Sequence, residues 1–493
     1  MASGTAHTPP VIVEPAPPQL LRVLGIAFGL AVVVGSVIGA GIMRAPGVVA
    51  RAITNEPMFL FAWIAGGAVC MLSAMPVVEA GASVPRAGGA FPIAERAFGT
   101  TVGLLAGWIT WLGNVSAVAY VAVVFGEYVH RLGLAAPIPT SAVAGGLIFA
   151  AAAMNLAGTR ATGASQAVAS AVKGAGFLVL TVVLLASPHA ALSHSTSPAV
   201  AAGARVAGIG GVIMAIRVIY ATYNGWIGAI FFSEEVRRPE RALAQATFTG
   251  IVVVTTLYVL INIAVLHVLT PAAIAGSELA VGDAAKAVVG AAGDTAITAF
   301  GLFSLAALAN LNVMKGSRIT FCMARDGVLP KGLAAVSTGG TPVWSVAILV
   351  FAAVLLAASG GYETLVRISA PWTICAVLII TFSAIRLRVA EPALARPWKM
   401  PLFPLPAIIA AAIQASLLAL MVWDDPLDGL WSAATVVAPL PIWLIFERRW
   451  RREAVDSAWA LALPDAEDTP AGSDLKAPGR GRSEIMRRGH PDR

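Results

Sequence analysis

The chain has 493 residues, of which 58% are hydrophobic and only 12% are charged, and its formal net charge is +7. The mean hydropathy is +0.81. Soluble domains average roughly 25% charged residues, so this composition excludes an ordinary water-soluble protein. It favours an all-α membrane protein, because backbone groups in lipid must form their hydrogen bonds within helices.

The chain begins with residues 1–20, which are rich in proline and nearly uncharged and therefore predict a disordered cytoplasmic tail. Apolar runs long enough to span a membrane then follow. We predict about twelve transmembrane helices, at residues 23–50, 58–83, 102–129, 139–157, 163–187, 206–233, 245–270, 292–323, 342–359, 363–385, 403–423 and 429–446. We assign spans 1–10 to a core of residues 21–399 and spans 11 and 12 to residues 400–449, and residues 450–493 predict a second disordered cytoplasmic tail.

The loops between these spans alternate in charge. One set contains arginine and lysine residues, for example Arg86, Arg160 and Arg396, whereas the alternate set contains acidic residues such as Glu56 and Asp425. The positive-inside rule places the basic loops and both termini in the cytoplasm. The alanine- and arginine-rich composition fits a bacterial protein, so we predict a multi-pass protein of a bacterial inner (plasma) membrane.

Two spans contain segments that favour unwound backbone. Span 1 contains the stretch Gly35–Gly41, and span 6 contains Thr222-Tyr223-Asn224-Gly225-Trp226. Five spans separate the two segments, and a repeat of an odd number of spans must insert with inverted topology. Glycines in membrane helices also serve close packing, but broken helices at matching positions of two halves predict a binding site near the middle of the membrane.

The chemistry of a broken helix suggests the ligand. One end of the break exposes N–H groups and a positive dipole end, which can bind a carboxylate. The other end exposes carbonyl groups, which can bind an ammonium group. An α-amino acid carries both charged groups on one carbon, so it fits two opposed helix ends.

Further motifs follow one another along the chain: Gly35–Ile42 with Ala45-Pro46-Gly47, Glu79-Ala80-Gly81, Pro85–Phe91, Phe98-Gly99, Tyr223–Trp226, Glu234–Pro239, Ser317-Arg318, Ala324–Pro330 and Arg396-Pro397. In this order they resemble the amino acid–polyamine–organocation superfamily, and within it the L-type and bacterial amino acid permease branches. The resemblance extends from about Leu24 to Lys399. It implies a LeuT-type fold, with a 5+5 inverted repeat and broken helices 1 and 6, and secondary active transport by alternating access.

The resemblance also implies a set of substrate-binding residues around the two breaks. They are Ile38, Gly39, Ala40, Gly41, Ile42, Tyr220, Ala221, Thr222, Tyr223, Asn224 and Gly225. From its place on span 3, Asn114 is a further candidate for the substrate-binding pocket, and packing within the core is the alternative. Ala221 stands where the family often has a gating aromatic residue, and Ile227 stands where a polar residue is common. These two departures favour a neutral amino acid over a cationic one.

An ionisable residue within a span is a candidate functional residue. Lys173 of span 5 matches a lysine that, in some relatives, reaches the unwound part of span 1 and replaces a sodium ion; the alternative is a lysine that extends to the membrane surface. Sodium-coupled relatives need hydroxyl groups on span 8, where this chain has Ala306, Ala307 and Asn310. We therefore predict sodium-independent transport, by exchange or by proton coupling through Lys173.

Other charged residues are predicted to form gates or ion pairs. Arg217 of span 6 can line the outer vestibule or pair with Glu127 of span 3, and Arg44 can play either part. Three carboxylates near the inner ends of spans 2 and 6 are expected to pair with loop arginines: Glu79, Glu234 and Glu235.

No catalytic constellation is evident, because none of the six histidines lies in a paired motif, so we predict that the chain is not an enzyme. We expect no metal, no cofactor and no nucleic acid, and a monomer or homodimer in the lipid bilayer. The loop from His130 to Thr140 has no cysteine, so no covalently attached partner subunit is implied. The alternatives are a polyamine or cationic amino acid permease, a channel, and a nutrient sensor that does not transport.

Overall fold

The structure, a computed structural model, describes residue 20 and residues 25–188, 209–236 and 239–460. Within these ranges the chain forms seventeen α-helices and two short 3-10 helices. The remaining part of the N-terminal tail, the start of the sixth predicted span, Arg237, Arg238 and the tail after Ala460 lie outside the described residues.

Helices of the first half of the chain are α1 (Ile26–Val37), α2 (Ala40–Ala52), α3 (Glu56–Ser83), α4 (Ala90–Phe98), α5 (Thr100–Arg131), α6 (Thr140–Leu156) and α7 (Thr159–Leu185). Those of the second half are α8 (Ile209–Tyr223), a 3-10 helix (Trp226–Phe232), α9 (Pro239–Val268), α10 (Pro271–Gly276), α11 (Ala280–Val289), α12 (Ala291–Arg325), a second 3-10 helix (Lys331–Ala334), α13 (Val343–Ser359) and α14 (Tyr362–Ala390). The chain then continues through α15 (Leu405–Asp424), α16 (Pro426–Val437) and α17 (Pro439–Ala460).

The helices are long and apolar enough to account for the predicted spans. Eight segments of the described residues meet the length and hydropathy expected of a membrane span, and the pair α1 and α2, bent by 47°, is a ninth. Two shorter apolar helices, α6 and α13, correspond to spans 4 and 9. The sixth span is α8 followed by the first 3-10 helix. The chain is therefore an all-helical, multi-pass membrane protein.

Helix packing repeats after a shift of five spans. Helix α5 packs against α6, α13 and α14, and α12, five spans later, packs against the equivalent set of α13, α6 and α7. Helices related by the shift, such as α3 with α9 and α5 with α12, also pack on each other. An odd shift reverses the chain direction of each helix, so this pattern is that of the predicted inverted repeat.

Two surfaces of the protein are named from the helix ends. The basic face is where α3, α12 and α14 end, near Ser83, Arg325 and Ala390. The opposite face is where α5 ends and α12 begins, near Arg131 and Ala291.

The sixth span and the last span differ from the sequence prediction in detail. The second half of the sixth span is a 3-10 helix rather than an α-helix. The last span is interrupted at Ala438, because Pro439 has no N–H group to continue α16 and instead occupies the first turn of α17. Helix α17 then continues to Ala460, past residue 450, where the sequence predicts a disordered tail.

Candidate substrate site

The two broken spans contact each other at their breaks. Helix α1 ends at Val37, and Ile38 and Gly39 are extended before α2 begins. In the sixth span, Gly225 follows the end of α8 with φ +140°, a conformation that favours glycine. A β-carbon at Gly225 would lie 2.8 Å from the carbonyl carbon of Ser36. The glycine therefore allows the backbone of one break to lie against the backbone of the other.

Part of this contact region is open. Gly41, Ala221 and Asn224 are exposed, although they lie in the middle of their spans. A β-carbon at Gly41 would lie 3.4 Å from the methyl carbon of Thr222, so the exposed glycine adjoins the second break. The accessible surface at the breaks thus includes Gly41, the small side chain of Ala221 and the polar residue Asn224.

The N-terminal end of α2 can bind an anion. The first N–H groups of a helix have no partner within it. Gly39 offers no side-chain cap to α2, and the first turn of α2 contains no acidic residue. The positive end of the helix dipole is therefore not neutralised by its own first turn, and it adjoins the exposed Gly41.

The carbonyl end of α1 is already bound to a cation of the chain. The Lys173 ammonium donates to the Gly35 carbonyl at 3.0 Å and to the Ile38 carbonyl at 3.1 Å. Lys173 is fully buried, so the alternative of a lysine that extends to the membrane surface is wrong. The expectation that these carbonyls bind a substrate ammonium is also wrong for Gly35 and Ile38, because Lys173 occupies both.

Lys173 reaches the break because one face of α7 packs on α1. Gln166, Ser170 and Lys173 recur at helical spacing and are all buried. The Ser170 hydroxyl donates to the Ala31 carbonyl at 2.7 Å, one turn before Gly35. Within the described residues, no carboxylate pairs with Lys173. Among the described residues, the groups that bind its ammonium are therefore the two peptide carbonyls of the break.

Two further side chains contact the breaks, and sequence analysis missed both. The Tyr258 hydroxyl of α9 lies 2.8 Å from the Val37 carbonyl, to which it donates, and 3.3 Å from the Thr222 carbonyl. The Ser304 hydroxyl of α12 donates to the Ile38 carbonyl at 3.3 Å. The only available signal was a hydroxyl group within an otherwise apolar span, which is also common in packing contacts.

Several predicted site residues contribute backbone rather than side chain. Ile38 and Ile42 are fully buried, and the side chain of Ala40 lies outside the described residues. Tyr223 is 1% exposed and its hydroxyl donates to the Trp63 carbonyl at 2.9 Å, so its ring packs away from the open surface. Tyr220, beside the predicted gate position, is also buried.

The register of span 8 at the first break, which the sequence did not assign, is given by Ser304 and Leu308. Asn114 donates to the carbonyl of Thr110 in its own helix at 2.8 Å and lies beside Gly316 of α12. Asn310 accepts from Asn155 at 2.9 Å and does not provide a contact to the break. The α12 residues at the first break are instead Leu308 and Ser304. A β-carbon added to Gly39 would lie 3.3 Å from a methyl carbon of Leu308. The sequence could not fix this register, because α12 is a continuous helix with no break to anchor it.

Buried ion pairs close the fold between the breaks and the basic face. Glu235, just after the 3-10 helix, accepts from Arg318 of α12 at 2.8 and 3.1 Å, and both side chains are at most 1% exposed. Arg318 also donates to the Thr159 hydroxyl at 3.2 Å. The adjacent Glu234 accepts two hydrogen bonds from Arg325, at 2.7 and 2.8 Å. These pairs fix the second half of the sixth span against α12 and α7.

Burial raises the pKa of the Glu234 carboxyl, but hydrogen bonds and charge from Arg325 lower it by more. The pKa of Glu234 therefore lies below its ordinary value of 4.5. The carboxylate is the stable form of this group at neutral pH.

Glu79 forms a second ion-pair site at the basic face. Its carboxylate lies 3.1 Å from Arg388 and 3.6 Å from Arg396, and it accepts the N–H group of Met400 at 2.6 Å. The carboxylate is therefore engaged by groups of α14 and the following segment, and it is 3% exposed.

Of the ion pairs predicted at the opposite face, the structure forms the one between Arg44 and Glu127. Arg217 pairs with Asp424 at the end of α15, and Glu127 pairs with Arg44 of α2 at 3.8 Å. The predicted pair of Arg217 with Glu127 is wrong, because its prediction rested on span order and could not place the appended α15 beside α8. The Arg44–Glu127 pair is 37% and 44% exposed, in contrast to the buried pairs at the basic face.

The described residues contain no metal site and no disulfide. No group of histidine, cysteine and acidic residues there can hold a metal ion, and the three cysteines, Cys70, Cys322 and Cys375, are free. An open groove of about 660 Å³, lined by Phe98, Phe382 and other mostly apolar residues, lies along α4, α5 and α14, away from both breaks.

Comparison with known proteins identifies the family of the chain. A family model described as amino acid permease matches residues 27–446. The serine/threonine exchanger SteT of Bacillus subtilis is 26% identical over 440 residues, which cover 87% of this chain and 98% of that protein. The b(0,+)-type amino acid transporter 1 of Rattus norvegicus is 25% identical over 454 residues, covering 89% and 91%.

Proposed function

Because the chain belongs to the amino acid permease family and is a transporter rather than an enzyme, we propose that it exchanges neutral amino acids across the membrane without sodium. Transport proceeds by alternating access around a site at the two breaks. The observation that carries the sodium-independent part is the position of the Lys173 ammonium, within 3.1 Å of two carbonyls at the end of α1.

The charge and the space at the C-terminal end of α1 support sodium independence. Carbonyl groups at a helix C-terminus, where the dipole is negative, are the natural ligands of a cation. Here an ammonium group already satisfies the Gly35 and Ile38 carbonyls, with Ser304 beside it. A sodium ion at this place would have to displace a buried lysine that has no alternative carboxylate partner among the described residues.

The open surface supports binding of a zwitterion. The N-terminal end of α2 at Gly41 offers N–H groups to the substrate carboxylate. The α1 carbonyls of Gly35, Val37 and Ile38 are occupied by donors of the chain, so the substrate ammonium binds the exposed turn at Asn224. Ala221 leaves room for a side chain and offers it no charge, which favours neutral substrates.

Exchange is favoured over proton symport by the similarity to a serine/threonine exchanger. The positive-inside rule supports placing the basic face, and both termini, in the cytoplasm of a plasma membrane. On that orientation, the buried Glu235–Arg318 pair closes the cytoplasmic side of the pathway. We further propose that the chain acts as a monomer or homodimer.

The test uses the purified protein in proteoliposomes. Uptake of labelled serine, leucine, arginine and glutamate is measured with and without internal amino acid, in sodium and in choline buffers. We expect rapid uptake of a neutral amino acid only into loaded vesicles, at the same rate in both buffers. Loss of uptake in choline contradicts sodium independence, and accumulation in empty vesicles driven by a proton gradient contradicts exchange.

A further inference from the structure

One face of α12 follows the pathway from the breaks to the basic face. Ser304, Leu308, Leu311 and Lys315 recur at spacings of four, three and four residues, which places them on one side of a helix. Ser304 and Leu308 contact the first break. With a helical rise of 1.5 Å per residue, Lys315 lies about 16 Å closer to the basic face than Ser304 does.

Lys315 is covered by the second half of the sixth span. It is 8% exposed, and its ammonium lies 6.0 Å from the centre of the Phe231 ring. Phe231 belongs to the 3-10 helix and also lies against Gly89, where φ is +65° and an added β-carbon would lie only 2.5 Å from the ring. Phe231 therefore lies beside both Lys315 and the loop between α3 and α4.

Lys315 differs from the other buried cations nearby in having no anion. Arg318 pairs with Glu235, and Arg325 pairs with Glu234. Within the described part of the chain, the Lys315 ammonium has neither a hydrogen bond nor a carboxylate partner. Among the described residues, the group that interacts with its charge is the Phe231 ring. A buried charge without a partner is unfavourable, and within a membrane span it marks a functional position.

We propose that Lys315 is a transient carboxylate site in the basic-face half of the transport pathway. When the 3-10 helix moves to open the basic face, Phe231 uncovers the ammonium. The group then attracts the carboxylate of a substrate that leaves the breaks and repels substrates with a net positive charge. This inference rests on the proposed function and adds a residue that selects substrate charge outside the central site.

The test measures the ratio of labelled arginine exchange to labelled leucine exchange in proteoliposomes. Lys315→Met removes the charge and keeps a similar length, whereas Lys315→Arg keeps the charge. Lys331→Met is the matched control, because it removes a lysine from the basic face outside the α12 stripe. We expect Lys315→Met to raise the arginine-to-leucine ratio about tenfold, because like charges repel strongly where water is largely excluded. Lys315→Arg and Lys331→Met should leave the ratio within about twofold of the original.

The outcomes separate this inference from the proposed function. If the unaltered protein exchanges no neutral amino acid, the proposed function fails. If it exchanges leucine but Lys315→Met leaves the ratio unchanged, only the role of Lys315 is overturned. A Lys315→Met protein that folds but exchanges neither substrate also overturns it, because the charge would then serve turnover rather than selection.

Discussion

The ammonium nitrogen of Lys173 in α7 lies 3.0 Å from the carbonyl oxygen of Gly35 in α1. This hydrogen bond joins the fifth span to the end of the first half-helix, at the negative end of its dipole. Lys173 is a cation that cannot diffuse away, because it is part of the chain. The carbonyl groups at the break therefore keep a charged donor in every step of the transport cycle in which this contact is kept.

Lys173→Met should reduce amino acid exchange at least tenfold, an effect of about 1.4 kcal/mol or more. The change leaves the Gly35 and Ile38 carbonyls without their charged donor, and an unsatisfied buried polar group costs about 1–3 kcal/mol. The measurement is exchange in proteoliposomes together with the unfolding temperature in detergent. Lys286→Met on the exposed part of α11 is the control, and unchanged exchange in the Lys173 variant would remove the lysine from the mechanism.

Gly225→Ala should abolish transport and lower stability. An alanine at φ +140° is strained by about 1–3 kcal/mol, and its β-carbon would lie 2.8 Å from the Ser36 carbonyl carbon, so the two breaks must separate. Gly145→Ala in α6 is the matched control, because nothing lies within 4 Å of its added β-carbon. Equal exchange rates for the two variants would show that the close contact of the breaks is dispensable.

Glu235→Gln should destabilise the closed basic face. The change leaves Arg318 buried at 1% exposure without its carboxylate, and removal of one partner of a buried pair costs about 3–5 kcal/mol. We expect a lower unfolding temperature and faster labelling of a cysteine introduced between the breaks and the basic face. The double variant Glu235→Met with Arg318→Met should lose less stability than the two single variants together, as coupled partners do. Additive losses would contradict a direct pair.

Acidification should weaken the fold through Glu234. Its pKa is lower in the folded protein than the ordinary value of 4.5, so its contribution is fully present above pH 4.5 and is lost as the pH falls through the folded pKa. Unfolding temperatures measured in detergent between neutral pH and pH 3 should therefore decrease less for Glu234→Gln than for the unaltered protein. Identical pH profiles would show that the Glu234–Arg325 pair contributes nothing to this dependence.

The sequence predicted the fold because membrane spans and broken helices are local patterns. Apolar length gave the twelve spans, and the segments at Gly39 and Asn224 gave the breaks, which the structure shows in contact. The Lys173 contact was predicted from the family resemblance, because some relatives have a lysine at this position of the fifth span that reaches the unwound part of span 1.

What the sequence missed depends on the relative placement of helices. The partner of Arg217 is Asp424, which lies outside the inverted repeat and so is not constrained by its symmetry. Tyr258 and Ser304 reach the breaks, but their rotation about α9 and α12 is set by tertiary packing. Tertiary packing also directs the Tyr223 ring away from the open surface at the breaks, and its hydroxyl donates to the Trp63 carbonyl.

The central claim is that an amino acid binds at the open surface between the two breaks, and substrate protection of a cysteine tests it most directly. Ala221→Cys is made in a Cys375→Ser background, since Cys70 and Cys322 are buried, and labelling by a membrane-impermeant maleimide is timed in a variant that still exchanges. We predict that the cysteine reacts and that a saturating transported amino acid slows the reaction about tenfold or more, because the bound ligand blocks the thiol. A cysteine that does not react, or that reacts at the same rate with and without the transported amino acid, would contradict the claim.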